Sequence, residues 1–260
     1  MELNMSGKRV LITGGSKGIG YACAEVFAEE GCDVQLVSRT EADLKAAADK
    51  LRERFNVPIA YHALDLSDSS NIAKLQETCG DIDILVNNAG AIPGGTLFDV
   101  DETRWREAWD LKIFGYINMV RTFYTKMAER GGGAIVNVIG LAGEKPDFGY
   151  VAGSTGNSGL MTFTKAIGGS SLKDNIRVLA VNPGPVQTDR LISLLKTRSE
   201  GETGSTDGWE RYMETMPMGR AAYPREVADV VAFLASERAS YLTGIVVPIE
   251  GGMANKSASF

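Results

Sequence analysis

The sequence predicts a doubly wound α/β fold, in which helices cover both faces of a parallel sheet. Short apolar runs alternate with longer segments of helical period from one end of the chain to the other, and a glycine-rich turn joins the first run to the first helical segment. Such alternation is typical of parallel strands connected by helical crossovers. No Pro/Ser-rich linker divides the chain, so we expect residues 1–260 to form a single domain.

The predicted elements follow in order. The strand-like runs are VLITG, VQLVS, IAYHALD, IDILVNNAG, AIVNVIG, IRVLAVNPG and GIVVPIE, which makes a sheet of about seven strands. The main helical segments run over 19–30, 42–55, 70–78, 103–130 and 150–170. The least regular segment, residues 189–220, directly follows a strand end, and we expect it to form a substrate lid. A solvated surface insertion is the alternative.

The composition narrows the choice of partners. A formal charge of −6 gives no electrostatic reason to expect nucleic acid or a membrane as a partner, which leaves small molecules. The only N-terminal apolar run is too short for a secretion signal, so we expect a cytoplasmic protein. Cys23, Cys32 and Cys79 are widely spaced, which favours packing residues over a metal site. His62 is the only histidine, and its strand-like surroundings favour a structural role.

The turn after the first strand has the character of a phosphate-binding loop. Its sequence, TGGSKGIG over 13–20, runs straight into a helical pattern. Glycines there permit a tight turn and close approach of the backbone to a pyrophosphate, and the helix N-terminus supplies free N–H donors. We therefore expect cofactor contacts from the following residues: Gly14, Ser16, Lys17, Gly18, Ile19 and Gly20.

Together with later motifs, this turn resembles that of the short-chain dehydrogenase/reductase family, whose fold is of the Rossmann type. DLSD at 65–68 is similar to its adenine-contacting segment, NNAG at 87–90 to its motif after the fourth strand, and NPGPVQT at 182–188 to the segment that holds the nicotinamide amide. The resemblance covers nearly the whole chain. It implies further cofactor contacts from Asp65, Leu66, Asn88, Ala89, Gly90, Tyr150, Pro183, Gly184, Val186 and Thr188.

Charge at the end of the second strand predicts which nicotinamide cofactor is bound. Members that prefer NAD place an acidic residue there to accept from the ribose hydroxyl, whereas this chain has Ser38 followed by Arg39. An arginine beside the ribose favours a 2′-phosphate, and Lys17 adds a second positive charge. We therefore expect NADP(H).

The resemblance breaks in the catalytic residues. The family uses Asn, Ser, Tyr and Lys, and the Tyr exchanges a proton with the substrate while hydride moves to or from the nicotinamide. Tyr150 matches the family Tyr, but the family Lys falls on Ser154, its Ser on Gly140 and its Asn on Lys112. An ammonium about 4 Å from a phenolate is worth roughly 4 kcal/mol at a dielectric of about 20, so losing the lysine matters.

Lys112 offers a replacement for that lysine. The helix that carries it borders the same site in family members, so we hypothesise that the ammonium has moved there to support Tyr150, while Ser154 leaves room. The alternative is a surface lysine near a subunit contact. For the missing serine hydroxyl, the sequence leaves Ser154, Asn157 and the Asn137 amide open.

These patterns favour an NADP-dependent oxidoreductase that reduces a carbonyl or oxidises a secondary alcohol, with Tyr150 as proton donor or acceptor. The loss of three catalytic residue types keeps a second interpretation open, an NADP-binding sensor or scaffold without redox turnover. A third is non-redox chemistry at the cofactor site. The resemblance also implies a homotetramer. The substrate and the direction of reaction stay open.

Overall fold

The computed structural model describes residues 2–255, and its centre is a sheet of seven parallel strands. The strands are β1 (Arg9–Thr13), β2 (Asp33–Ser38), β3 (Ile59–Ala63), β4 (Ile84–Asn87), β5 (Gly133–Val138), β6 (Ile176–Pro183) and β7 (Val246–Ile249). They lie in the order β3, β2, β1, β4, β5, β6, β7. The predicted doubly wound, single-domain α/β fold is confirmed.

Nine α-helices connect these strands within the described part of the chain. They are α1 (Gly18–Glu29), α2 (Glu41–Arg54), α3 (Ser69–Cys79), α4 (Glu102–Trp109), α5 (Gly115–Glu129), α6 (Val151–Ser171), α7 (Asp189–Thr203), α8 (Arg211–Glu214) and α9 (Pro224–Ala235). A π-helix, Asp110–Phe114, joins α4 to α5, so the helical segment predicted over 103–130 is a single run with one wide turn in it. No described helix is both long and apolar enough to cross a lipid bilayer.

Both faces of the central strands are buried, which explains why β1, β4, β5 and β6 are mainly apolar. Side chains of successive strand residues point to opposite faces. In β1, Val10 and Ile12 pack in the core that contains α1, α2 and α9, whereas Leu11 packs in the core that contains α3 and α5. A third, smaller core includes Ile113 and Leu160 and joins the π-helix to α6.

The strand order reverses between β1 and β4, whose connections leave on opposite faces of the sheet. At such a switch point the loops diverge and leave a crevice beyond the carboxyl ends of the strands, which is where ligands bind in open α/β sheets. The glycine turn follows β1, and the NNAG segment begins in β4. The fold therefore brings these two motifs to the same crevice.

The cysteines and the histidine are structural. Cys23, Cys32 and Cys79 are buried free thiols, which confirms their interpretation as packing residues. His62 Nε2 lies 2.9 Å from Gln35 Oε1 on the neighbouring strand, and burial lowers the pKa of the imidazole. This places the histidine inside the β2/β3 ladder.

Candidate active site

The glycine turn after β1 forms an open cradle. Gly14 has a φ of +65°, and a Cβ built on Gly20 would lie only 2.2 Å from the Gly14 carbonyl oxygen. Helix α1 begins at Gly18, and no side chain caps it, because the N-cap residue is Lys17. The first N–H groups of α1 thus remain available to an anion, and the helix dipole favours one. The cradle fits the pyrophosphate of a dinucleotide.

Thr13 and Asn88 fix the NNAG segment against this turn. The Thr13 hydroxyl oxygen accepts from the backbone N–H groups of Asn88 and Ala89, both at 2.8 Å. In return, the Asn88 amide donates to the carbonyl oxygens of Thr13 at 3.0 Å and Gly14 at 3.3 Å. The motif residues therefore hold the two walls of the crevice in register.

A cleft of about 480 Å³ runs along the crevice, with the predicted cofactor residues Arg39 and Asp65 in its lining. Ile92 and Arg190 also line it, and the Arg190 guanidinium donates to the Ile92 carbonyl oxygen at 2.7 Å. Arg190 lies in the first turn of α7, where the predicted lid begins. The start of that segment thus closes on the loop after β4.

The remaining predicted cofactor residues surround the same edge of the sheet. Ser38 lies at the end of β2 and donates to the Ser16 hydroxyl at 3.3 Å. Lys17 forms an ion pair of 2.8 Å with Asp43, whereas Arg39 is exposed beside the cleft. The other predicted cofactor residues lie at or just beyond strand ends or at the start of α1, and they are Ile19, Leu66, Gly90, Pro183, Gly184, Val186 and Thr188.

Tyr150 directly precedes α6, and its ring lies on the first turn of that helix. A Cβ on Gly153 would be 2.1 Å from the Cζ atom of the Tyr150 ring, so only glycine leaves room for the ring there. Burial raises the pKa of the phenol, and the positive charge of Arg190 partly opposes that rise. The phenol is therefore protonated at neutral pH.

Lys112 is buried in the π-helix, with 7% of its surface exposed. Its ammonium donates to the Tyr116 hydroxyl and to the Val138 carbonyl oxygen, both at 2.7 Å, and its stem fills the space beside Gly90. Burial, with a smaller contribution from Arg190, lowers the pKa of Lys112 to about 7. A buried ammonium without a carboxylate partner loses its proton easily.

The predicted pair of Lys112 and Tyr150 is not joined directly in this arrangement. The recorded partners of the ammonium are Tyr116 and Val138. Both groups respond to the charge of Arg190, which places that guanidinium within electrostatic reach of each. Support of Tyr150 by Lys112 thus stays a prediction.

Sequence reasoning missed Tyr116, and it assigned Arg190 only to the predicted lid. Tyr116 lies four residues after Lys112, a spacing that brings helical side chains together and that gives a usable signal. Arg190 lies two residues after Thr188, within the predicted lid, but a charged residue in a polar segment carries no signal of where its side chain points.

Comparison with known proteins agrees with this geometry. The model of the family described as short chain dehydrogenase matches residues 8–199. The chain belongs to the short-chain dehydrogenase family, which confirms the resemblance seen in its motifs. Its relatives are oxidoreductases, and the site is of the type that binds a nicotinamide cofactor.

Relatives cover nearly the whole length of the chain. A 3-oxoacyl-(acyl-carrier-protein) reductase of Aquifex aeolicus is 34% identical over 97% of this chain and 100% of its own. A 3alpha-hydroxysteroid dehydrogenase of Mediterraneibacter gnavus is 29% identical over 96% of this chain and 98% of its own. The structure of L-sorbose reductase from Gluconobacter frateurii, complexed with NADPH and L-sorbose, superposes with a TM-score of 0.91 at 33% identity, over 99% of this chain and 100% of that one.

Proposed function

We propose that this protein is an NADP-dependent oxidoreductase that reduces a carbonyl or oxidises a secondary alcohol, with Tyr150 as the proton donor or acceptor. The observation that carries the proposal is the placement of Tyr150 at the start of α6, with its ring on Gly153, at the same carboxyl edge of the sheet as the uncapped dinucleotide cradle at the start of α1. A bound nicotinamide supplies or accepts the hydride. The chain's own residues then have to donate or accept the proton.

The proton on the Tyr150 phenol favours carbonyl reduction over alcohol oxidation. When hydride adds to the carbonyl carbon, the C=O π bond breaks and its electrons form an alkoxide oxygen, which takes the phenol proton. Burial keeps that proton on Tyr150 at neutral pH, as this step requires. Alcohol oxidation requires a phenolate at the start, which burial disfavours. We therefore propose that the protein acts as a reductase.

Two basic side chains support the phenolate that remains after the proton leaves: the Arg190 guanidinium, and the Lys112 amine in its protonated form, which predominates below its pKa of about 7. Arg190 already lowers the pKa of Tyr150 from a distance. An ammonium has three N–H donors, and Lys112 directs two of them at Tyr116 and Val138. We propose that the third serves the Tyr150 phenolate, either directly or through a water molecule.

The choice of NADP(H) over NAD(H) rests on Arg39. This residue is exposed beside the cleft, at the end of β2, where the chain lacks the carboxylate that would bind a ribose 2′-hydroxyl. Lys17 contributes less than expected, because its ammonium is already paired with Asp43. The NADPH bound to the similar L-sorbose reductase points in the same direction.

The test is NADPH consumption by the purified protein against ketones, aldehydes, quinones and keto esters, with Tyr150→Phe and Lys112→Met in parallel. We expect turnover of at least one carbonyl class, abolished by Tyr150→Phe. We expect Lys112→Met to lower turnover and change its pH profile. Unchanged turnover and an unchanged profile in that variant would remove Lys112 from the mechanism.

A second candidate is an NADP-binding protein without redox turnover, acting as a sensor or scaffold. It is favoured by one specific observation, namely that the Lys112 ammonium bonds to Tyr116 and Val138 and has no recorded bond to Tyr150. Tight NADPH binding without turnover in the same panel would favour this candidate. Non-redox chemistry would instead consume substrate with no change in NADPH.

We further propose that the protein is a cytoplasmic homotetramer. A mainly apolar groove of about 660 Å³ lies along α4 and the π-helix. Its apolar lining is Leu97, Val100, Trp105, Trp109 and Phe114, and its charged lining is Glu102, Arg106 and Asp110. Apolar surface of this kind is typical of protein interfaces. Free buried thiols suit a reducing compartment. Sedimentation that shows only monomer would remove the tetramer, and Phe114→Lys is the variant expected to disrupt it.

A further inference from the structure

Asn157 is a buried amide with unused hydrogen-bonding capacity. Its side chain lies on α6, only 4% of the residue is exposed, and its Oδ1 accepts no hydrogen bond from any described residue. A buried polar atom without a partner costs about 1–3 kcal/mol. This atom is an acceptor, so it requires an N–H or O–H donor that the described polypeptide does not supply, such as a water molecule. The same amide carries two N–H donors on Nδ2.

The amide lies where the missing serine side chain would be. A Cβ built on Gly140, the position that matches the family Ser, would be 3.0 Å from Asn157 Nδ2. Close packing produces this contact, because a Cβ on Gly143 would lie 2.8 Å from the Asn157 backbone carbon. The small residues of the loop after β5 thus let α6 approach until the Asn157 amide fills the serine's space.

Asn157 and Tyr150 also face the same region. The Tyr150 ring rests on Gly153, and Asn157 follows Gly153 by four residues, so it lies one turn further along the same face of α6. A proton donor and an amide donor are therefore arranged in succession along this helix, opposite Gly140.

The other candidates for the serine's role have partners within the chain. Asn137 accepts from the Asn87 amide and donates to the Thr164 hydroxyl, both at 3.0 Å. Ser154 accepts from the backbone N–H of Asp147 at 3.0 Å and donates to its carbonyl oxygen at 3.4 Å. Of the three residues that the sequence left open, Asn157 is the one whose Nδ2 donor lies beside Gly140, and its Oδ1 is unpaired among the described residues.

We propose that the Asn157 amide takes over the role of the missing serine and donates a hydrogen bond from Nδ2 to the reacting oxygen of the substrate. This inference rests on the proposed reductase function. The amide keeps both hydrogens throughout, while the proton that the oxygen gains comes from Tyr150. Its bond strengthens as negative charge grows on that oxygen, so it stabilises the transition state more than the bound ketone.

The test compares Asn157→Leu and Asn157→Asp with the wild type, using a carbonyl compound that the wild type reduces. Removing one such donor lowers kcat by about 100-fold or more, and we expect that loss from Asn157→Leu with NADPH affinity unchanged. Thr164→Val is the matched control, since it removes a buried polar group from the same helix. We expect it to lower stability and leave kcat within about twofold.

The Asn157→Asp variant adds a second measurement, the pH dependence of its activity, which would not change if Asn157 served only in packing. Burial raises the pKa of a carboxyl group, and only the protonated form donates a hydrogen bond. The activity of Asn157→Asp relative to wild type is therefore expected to rise as the pH falls. A ratio independent of pH, or a kcat for Asn157→Leu equal to that of wild type, would overturn the proposal.

A protein that reduces nothing would overturn the proposed function but would still allow a decision on Asn157. Isobutyramide, whose carbonyl is not reduced by NADPH, is then titrated into the NADPH complex and followed by calorimetry. Binding that is lost in Asn157→Leu supports a carbonyl site at the amide. Equal binding in both proteins, or no binding to wild type, would exclude that site.

Discussion

Replacing Lys112 with methionine should change how the stability of the protein depends on pH. The lysine ammonium is buried against Tyr116 and Val138, and its stem packs beside Gly90. Burial lowers the pKa of the amine from 10.5 to about 7. In the unfolded chain the same amine holds its proton up to about pH 10.4. Between these two values the unfolded state binds the extra proton, so stability rises with pH.

The size of this effect follows from the two pKa values of the amine. Each pKa unit corresponds to about 1.4 kcal/mol, so the whole shift is worth about 5 kcal/mol in the free energy of unfolding. About 2 kcal/mol of this falls between pH 7 and pH 9. Below pH 7 the amine is protonated in both states, and the contribution stops changing.

The assay is urea unfolding of wild type and Lys112→Met at intervals from pH 6 to pH 9. Methionine retains the apolar stem, and the Tyr116 hydroxyl keeps its own bond of 2.9 Å to the Val138 carbonyl oxygen. We expect the wild type to gain about 2 kcal/mol more than the variant between pH 7 and pH 9. Parallel pH profiles would show that the lysine keeps an ordinary pKa in the fold, and would refute this description of its surroundings.

Three further variants test the proposed cofactor and proton sites. Arg39→Asp is expected to weaken NADPH binding by about 10- to 100-fold with little effect on NADH, measured by fluorescence titration, because the 2′-phosphate loses its charged partner. Gly153→Ala is expected to lower kcat by about 10-fold or more with NADPH affinity unchanged, since its Cβ would displace the Tyr150 ring. Arg190→Ala is expected to move the alkaline limb of the kcat profile to higher pH, because Arg190 lowers the pKa of Tyr150.

Matched control variants separate these effects from a nonspecific loss of stability or activity. Arg121→Asp reverses a charge on the exposed face of α5 and should leave the cofactor preference unchanged. Gly159→Ala lies further along α6, where no heavy atom comes within 4 Å of the added Cβ, and should keep wild-type turnover. Arg190→Lys retains the charge and should return the alkaline limb toward its wild-type position. Equal NADPH affinity in Arg39→Asp, full turnover in Gly153→Ala, or an unmoved limb in Arg190→Ala would each count against the corresponding role.

The fold was predictable because its strands are buried on both faces. In β1 the three residues Val10, Leu11 and Ile12 are apolar and point to both sides of the sheet, and the helical segments between such runs have a 3.6-residue period. The structure of the segment over 189–220 was harder to predict. Residues Asp189–Thr203 form a helix, although its second half is polar and its main buried anchors are Leu195 and Ser199. Helical periodicity is weak where so little of a helix is buried.

That the site is of the nicotinamide-cofactor type was also predictable, since a glycine turn between a strand and a helix is typical of dinucleotide binding. The catalytic side was not. The wide turn at Asp110–Phe114 leaves no mark in the sequence period, yet it carries Lys112. Lysines are rarely buried, so the pattern gave no sign that this ammonium would bond to Tyr116 and Val138. Side-chain directions of this kind depend on packing between elements far apart in the chain.

The most direct test of the proposed function is the transfer of deuterium to a carbonyl compound from NADPH that carries deuterium at both C4 positions of the nicotinamide, measured by mass spectrometry of the product. Because Tyr150 is proposed to supply only the proton, we expect an alcohol with one deuterium on carbon from the wild type, and none from Tyr150→Phe. An unlabelled product, or NADPH that binds and returns all its label, would contradict an oxidoreductase.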